Sequence, residues 1–253
     1  MSLLGERAAP VQPLNPAVTS VSGVLPCYND EATIGAMVVR LREAMIRCGV
    51  DYEIVVVDDG STDGSLAVLE GLAAELPELR VVRHPVNRGY GGALRSGFAA
   101  ARLQWVFYTD GDGQYDPADA VDLVRLAGEE VDWVQGWKLT RSDNLARRAV
   151  GRAYHRAVRL LFGIRIRDTD CDFRLIRRSL LQGLDLGSST GAVCAELVYK
   201  CARAGGRVVE TPVRHYARAH GRSQFFRVPR VARTLGDVVR LWLRLVVFRR
   251  AGG

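Results

Sequence analysis

Lysine is almost missing from this chain: Lys138 and Lys200 are its only two, and arginine carries the rest of the positive charge. That imbalance says little about function, but other absences exclude more. Cys27, Cys48, Cys171, Cys194 and Cys201 form no CxxC pair and have no histidine cluster beside them. This excludes a zinc site and points to reduced, mostly buried thiols, as in a cytosolic protein. The opening "MSLLGERAAPVQPLNP" lacks the basic start and apolar stretch of a signal peptide and reads as a disordered leader. No run approaches the roughly 18 uninterrupted apolar residues of a spanning helix. Internal repeats and low-complexity segments are also absent. The aromatic residues that stack on nucleic-acid bases are not interleaved with the basic ones, Phe225–Phe226 aside, so a nucleic-acid partner is not expected.

What is present is an ordinary globular composition, 48% apolar and 25% charged over 253 residues, enough for one large core. The net charge of +7 is uneven. Residues 201–253 hold 12 arginines against Glu210 and Asp237, a local +10 that leaves −3 for the remainder. Such asymmetry suggests a polyanionic partner, whether nucleic acid, an anionic membrane or a phosphorylated substrate.

From about residue 21 short β-rich runs alternate with helical patterns. "VSGVL", "YEIVVVDD", "LRVVRH", "QWVFYTD" and "VDWVQG" read as strands. The segment from Ile34 to Met45 and the segments "STDGSLAVLEGLAAEL", "GGALRSGFAAAR" and "PADAVDLVRLA" read as helices, the second capped by Ser61 or Thr62 and the last opened by Pro117. The alternation predicts an α/β fold with a mostly parallel sheet between helices. After Gly136 the pattern becomes basic and irregular, with "IRIRDTDCDF" as a polar loop, a strand at "RVVETPVRHY" and a final helix "VARTLGDVVRLWLRLVVFRR". The expected organisation is a leader (1–20), a catalytic domain (21–225) divided at 136/137 into donor and acceptor halves, and a basic amphipathic helix (226–253).

Ligands of open α/β sheets bind beyond the carboxyl ends of the strands. "LPCYNDE", "VDDGSTDG", "HPVNRGYGGA" and "TDGDGQ" all fall there. Asp110, Asp112 and Gln114 alternate with Gly111 and Gly113, giving three oxygen ligands on a bendable turn. Oxygen-only ligation suits Mg²⁺ or Mn²⁺. The glycine-rich run around Gly89 can present amides to an anion at a helix N-terminus, though its spacing is not a dinucleotide fingerprint.

These blocks together resemble the inverting nucleotide-sugar glycosyltransferases of family 2, in particular the polyprenyl-phosphate (dolichyl-phosphate) mannosyl- and glucosyltransferases. "LPCYNDEATI", "EIVVVDDGSTDGS", "NRGYGGALRSGF", "TDGDGQYDP", "DTDCDFRLIRR" and "PVRHYARAHGRSQF" carry the likeness in order over residues 21–225. The resemblance implies a GT-A fold and a metal-dependent, inverting transfer of a hexose from a UDP- or GDP-linked sugar to a polyprenyl phosphate. It implies a nucleotide-sugar pocket of Pro26, Tyr28, Asp30, Asp58, Asp59, Gly89 and Asp110, and a metal held by Asp110, Asp112 and Gln114. Asp112, Arg218 and Asp168 would serve catalysis, and Lys138, Arg148 and Ser223 the acceptor phosphate. Asp172 stands where the family has glycine, and Gln224 where it often has lysine.

An acceptor phosphate is already anionic and needs no strong base, whereas a hydroxyl acceptor would need one, from Asp168, Asp170 or Asp172. Arg147, Arg148, Arg152, Arg156 and Arg159 would gather the anionic acceptor. The last helix has Arg240 and Arg244 among Leu241, Trp242, Leu245, Val246 and Phe248. It would lie in the headgroup region of an anionic membrane or pack on the domain. The expected location is cytoplasmic and peripheral at the inner face of the membrane.

Overall fold

The computed structural model describes residues 14–139, 155–217 and 228–248, with the side chains of 228–232 excepted. In chain order the strands are β1 (Ser20–Cys27), β2 (Asp51–Asp58), β3 (Leu79–Arg83), β4 (Trp105–Thr109), β5 (Trp133–Lys138), β6 (Phe173–Arg177) and β7 (Val208–Val213). The helices are α1 (Glu31–Cys48), α2 (Ser65–Glu75), α3 (Tyr90–Ala100), α4 (Ala120–Leu126), α5 (155–162), α6 (Arg178–Gln182), α7 (Ala192–Arg203) and α8 (Val228–Trp242). A 3₁₀ turn at Pro117–Asp119 leads into α4, and a π-helical turn at Leu243–Val247 follows α8.

One seven-stranded sheet runs in the order β3-β2-β1-β4-β6-β5-β7. β3, β2, β1 and β4 are parallel to one another, β6 is antiparallel to both β4 and β5, and β7 is parallel to β5. Side chains alternate across the sheet, so each strand feeds two cores. On one face Leu25, Val56, Trp105 and Phe107 pack beneath Ile34, Leu41 and Met45 of α1. On the other, Val24, Val55, Val106 and Tyr108 meet Leu94 of α3 and Val193 and Leu197 of α7. Parallel central strands buried on both faces explain the unbroken apolar runs in the sequence.

Three expectations need correction. The leader does not extend to residue 20: Val18 is fully buried, Leu14 donates to the Cys48 carbonyl at 2.9 Å, and the Asn15 amide bonds Val124 at 3.0 Å. α2 begins at Ser65, not beside Ser61 or Thr62, because those two residues bond Asn29 instead. A strand, β6, emerges directly from the segment read as a polar loop. Its fully buried Arg174 breaks the apolar pattern by which a central strand is recognised. All five cysteines are buried and unpaired.

α8 turns Thr234, Val238 and Leu241 inward at helical spacing and leaves Leu235 (48% exposed) and Val239 (50%) outside. Among the described residues, no helix is long and apolar enough to cross a membrane.

Candidate functional site

Two loops at the carboxyl ends of β1 and β2 are laced together. Asn29, held at φ 56°, donates its amide to Ser61 Oγ at 3.0 Å and accepts from the Thr62 amide at 2.7 Å. The Asp30 amide donates to Ser65 Oγ at 3.0 Å, and the Gly64 amide to Glu31 at 3.0 Å. Pro26 lies one residue before the end of β1, Tyr28 and Asp30 are half-buried on the loop, and Asp58 is buried at the end of β2. Burial pushes the Cys27 thiol up to about 12, so it is inert.

Asp59 looks inward. It is 3% exposed, and its carboxylate accepts from the Arg88 and Gly89 amides, both at 2.9 Å, and contacts His84 Nδ1 at 2.6 Å. His84 Nε2 continues to Ser96 Oγ at 2.8 Å, on α3. The Gly91 amide bonds the Ser189 carbonyl at 3.0 Å. Of the amides expected to meet an anion, those of Arg88, Gly89 and Gly91 are therefore engaged by the protein. The glycines serve close approach instead: a Cβ at Gly91 would stand 2.0 Å from the Ser188 carbonyl oxygen, and one at Gly89 2.4 Å from that of Ser189.

The turn after β4 differs. Thr33 Oγ1 of α1 donates to the Gly111 carbonyl at 2.9 Å, and a Cβ at Gly111 would lie 2.8 Å from the Pro26 carbonyl, so the turn sits hard against β1. Asp112, 9% exposed, accepts from the Gln114 amide at 3.0 Å. Gln114 in turn donates Nε2 to the Tyr216 carbonyl at 3.2 Å. Asp110 accepts from the Tyr90 hydroxyl at 2.7 Å. Burial pushes its carboxyl well above the usual range, helped by the negative charges of Asp172 and Asp112 and opposed by Tyr90 and Lys138.

Lys138, at the end of β5, donates to the Asp170 carbonyl at 2.6 Å. Burial works against its charge, but Asp168, Cys171, Asp170 and Asp172 outweigh it and hold the ammonium above its usual range. Asp168 is buried and accepts from the Asp170 amide at 3.1 Å, which makes it part of the loop's frame. Arg174 reaches up from β6 to Gln135 at 2.5 Å, the Thr169 carbonyl at 2.7 Å, the Tyr108 hydroxyl and, at 3.4 Å, Asp172. Cys194 Sγ also meets Asp172, at 3.1 Å.

Among the described residues, no three His, Cys, Asp or Glu side chains are grouped so as to hold a metal ion by themselves. Magnesium-type sites commonly use one or two carboxylates and take the remaining ligands from water and substrate phosphates. The hard-oxygen set of Asp110, Asp112 and Gln114 fits such a cation.

The structure thus brings together Pro26, Tyr28, Asp30, Asp58, Asp110, Asp112 and Gln114 at the carboxyl ends of β1, β2 and β4, with Lys138 and Asp168 across from them. Arg148, Arg218 and Ser223 lie outside the described residues, as does the expected 225/226 boundary. Sequence reasoning did not single out Tyr90, whose only signal was an aromatic residue inside the glycine run, or Glu196, a fully buried acid within a helical pattern.

The family model described as Glycosyl transferase family 2 matches residues 22–184. An undecaprenyl-phosphate 4-deoxy-4-formamido-L-arabinose transferase of Aeromonas hydrophila is 30% identical over 213 residues, 83% of this chain and 64% of the relative. Its counterpart in Pseudomonas aeruginosa strain LESB58 is 34% identical over 81% of this chain and 60% of its own length. A dodecaprenyl-phosphate galacturonate synthase of Rhizobium johnstonii is 30% identical over 85% and 65%. The chain therefore spans a little under two thirds of these relatives. Among solved structures, glucosyl-3-phosphoglycerate synthase of Mycobacterium tuberculosis with phosphoglyceric acid superposes with a TM-score of 0.68 at 25% identity, over 89% of this chain and 79% of that one. The same enzyme with Mn²⁺, uridine diphosphate and glucosyl-3-phosphoglycerate gives 0.68 at 24% identity, a likeness of fold.

Proposed function

Because the chain belongs to glycosyl transferase family 2 and has the GT-A fold, we propose that it is a metal-dependent, inverting hexosyltransferase. Its donor is a UDP- or GDP-linked sugar and its acceptor a polyprenyl phosphate. The observation that carries this reading is the turn after β4. There burial and the charges of Asp172 and Asp112 drive the Asp110 carboxyl well above its usual range, and the cationic Lys138 of the acceptor half opposes that rise. Relatives named for undecaprenyl- and dodecaprenyl-phosphate chemistry support the lipid acceptor.

Pro26, Tyr28, Asp30 and Asp58 line the base and ribose pocket, and Asp59 supports it from behind by fixing the Arg88–Gly89 backbone. Asp110, Asp112 and Gln114 hold Mg²⁺ or Mn²⁺, which when bound offsets charge developing on the departing diphosphate. Tyr90 orients Asp110 through its hydroxyl. Lys138, with Arg148 and Ser223, meets the acceptor phosphate, and Arg218 brings positive charge to the donor or the acceptor phosphate. An acceptor phosphate oxygen attacks the anomeric carbon as the bond from that carbon to the diphosphate oxygen breaks. The electron pair leaves with the nucleoside diphosphate, and the configuration inverts. The acceptor arrives ionised, so no side chain takes a proton. Positioning and charge complementarity then supply the acceleration. Asp168, bonded within its own loop, acts as counter-charge to Lys138.

A lipid acceptor places the reaction at a bilayer surface. The +10 of residues 201–253 and the exposed Leu235 and Val239 of α8 suit peripheral attachment to an anionic leaflet. A hydroxyl acceptor is the second reading. It is favoured by the acids around Lys138, where Asp170 or Asp172 would supply the base that a hydroxyl requires.

The test offers purified protein and Mn²⁺ radiolabelled UDP-glucose, UDP-N-acetylglucosamine and GDP-mannose, with and without a short polyprenyl phosphate. Label entering the organic phase from one donor establishes the lipid-phosphate reading and names the sugar. Donor hydrolysis without lipid product moves the acceptor to a hydroxyl.

A further inference from the structure

Outside the site, the most heavily bonded acid of the described chain is Glu196. It is fully buried on α7, yet its carboxyl lies below the ordinary range. Burial alone would raise it, but Lys200, the Ser188 amide and the Gly187 amide outweigh that cost. Those amides approach at 2.8 Å and 3.0 Å, and Lys200 Nζ at 2.8 Å. The remaining donor comes from the C-terminal segment: Arg244 Nη2, at 3.1 Å from the same carboxylate. Thr190 Oγ1 makes a second link to that segment, donating to Asp237 of α8 at 2.9 Å.

The 187–190 turn gripped in this way is the seat on which α3 begins. Its Ser189 carbonyl accepts from the Gly91 amide, its Ser188 carbonyl from Arg95 at 2.6 Å, and it presses on Gly89 and Gly91 so closely that neither tolerates a Cβ. Between those glycines stands Tyr90, whose hydroxyl holds Asp110 at 2.7 Å. A continuous path of hydrogen bonds and close contacts thus runs from Arg244 through Glu196, the 187–190 turn and the first turn of α3 to a carboxylate of the metal turn. Asp59 holds the Gly89 amide just before that turn.

We propose that Glu196 is a positioning residue for the nucleotide and metal site, and that Arg244 makes the C-terminal helical segment part of that site's support. The proposal rests on the donor reading given above. Neither residue touches the donor. Glu196 acts through the seat of α3, and Arg244 acts through Glu196. Supporting groups of this kind typically cost about ten-fold or more in metal affinity or activity when altered.

The experiment titrates UDP and GDP, each in the presence of Mn²⁺, into the full chain and into the variants Glu196→Gln, Arg244→Leu, Arg244→Lys and the double variant Glu196→Gln/Arg244→Leu, with Tm measured on each. Expected are about a ten-fold weaker nucleotide Kd for Glu196→Gln, a smaller loss for Arg244→Leu, and recovery in Arg244→Lys. The double variant should be no worse than Glu196→Gln alone, because both act through one link. Wild-type affinity in Glu196→Gln overturns the proposal. So does a loss that follows Tm alone, with Arg244→Lys as impaired as Arg244→Leu. If the wild-type chain binds neither nucleotide with Mn²⁺, it is the donor reading itself that fails.

Discussion

Two groups of acids stand at the same end of the same sheet and behave oppositely. Around β1 and β2, Asp59, Asp63 and Glu31 accept from backbone amides at 2.9 to 3.2 Å, and Asp59 also meets His84. Around β4 and β6, Asp110, Asp112 and Asp172 face one another, and Asp110 is driven well above the usual carboxylate range. The first group has its donors and builds loops. The second sets carboxylates against one another, and the proposed divalent cation would relieve that repulsion. Residue type and location do not separate the two groups; the charges around them do.

The contrast breaks most visibly at Asp112. Asp112→Ala should lower transfer by about two to three orders of magnitude while the fold persists, since preorganised charge stabilisation of this kind is worth that much. Full activity in the presence of a chelator would mean that the turn holds no metal.

Next in size is a paired substitution measured by thermal unfolding of metal-free protein. Asp59→Asn should destabilise by about 2 kcal/mol, because it removes an ionised acceptor from buried amide donors. Asp110→Asn should instead stabilise by about 1 kcal/mol, the usual exchange of function for stability where like charges are held together. A comparable loss in both would erase the distinction.

A smaller effect appears with pH. The Glu196 carboxyl is lower in the folded protein than its ordinary 4.5, so its stabilisation is present above that pH and lost as pH falls through the folded value. The Tm gap between wild type and Glu196→Gln should therefore narrow from pH 6 to pH 4, and a constant gap would contradict the assignment. Least in magnitude, Leu235→Ser with Val239→Ser should weaken binding to phosphatidylglycerol vesicles by a few-fold while leaving Tm nearly unchanged. Unchanged binding would make α8 a packing element only.

The sequence made the donor half easy to read. β2 is an unbroken apolar run because both its faces are covered, and the alternating oxygens of Asp110, Asp112 and Gln114 sit beyond the end of β4, as the alternation of elements required. What escaped it are features decided by tertiary contacts. β6 was hidden because Arg174, fully buried, finds Gln135, Tyr108 and Thr169 only after three strands assemble. The glycines at the start of α3 looked like an anion cradle because sequence does not show that Asp59 takes the Gly89 amide and Ser189 that of Gly91. Glu196 looked like one more helix acid, since its donors come from residues 187–188, Lys200 and the distant Arg244.

If the β4 turn binds a cation jointly with a nucleoside diphosphate, titrating UDP and GDP into the metal-free protein with and without Mn²⁺, in wild type and in Asp112→Ala, will show it. Mn²⁺ should tighten one nucleotide's binding by at least about ten-fold in wild type and not at all in the variant, the expected size for a metal-coupled site. Equal affinity with and without Mn²⁺ in the wild-type chain would contradict joint binding.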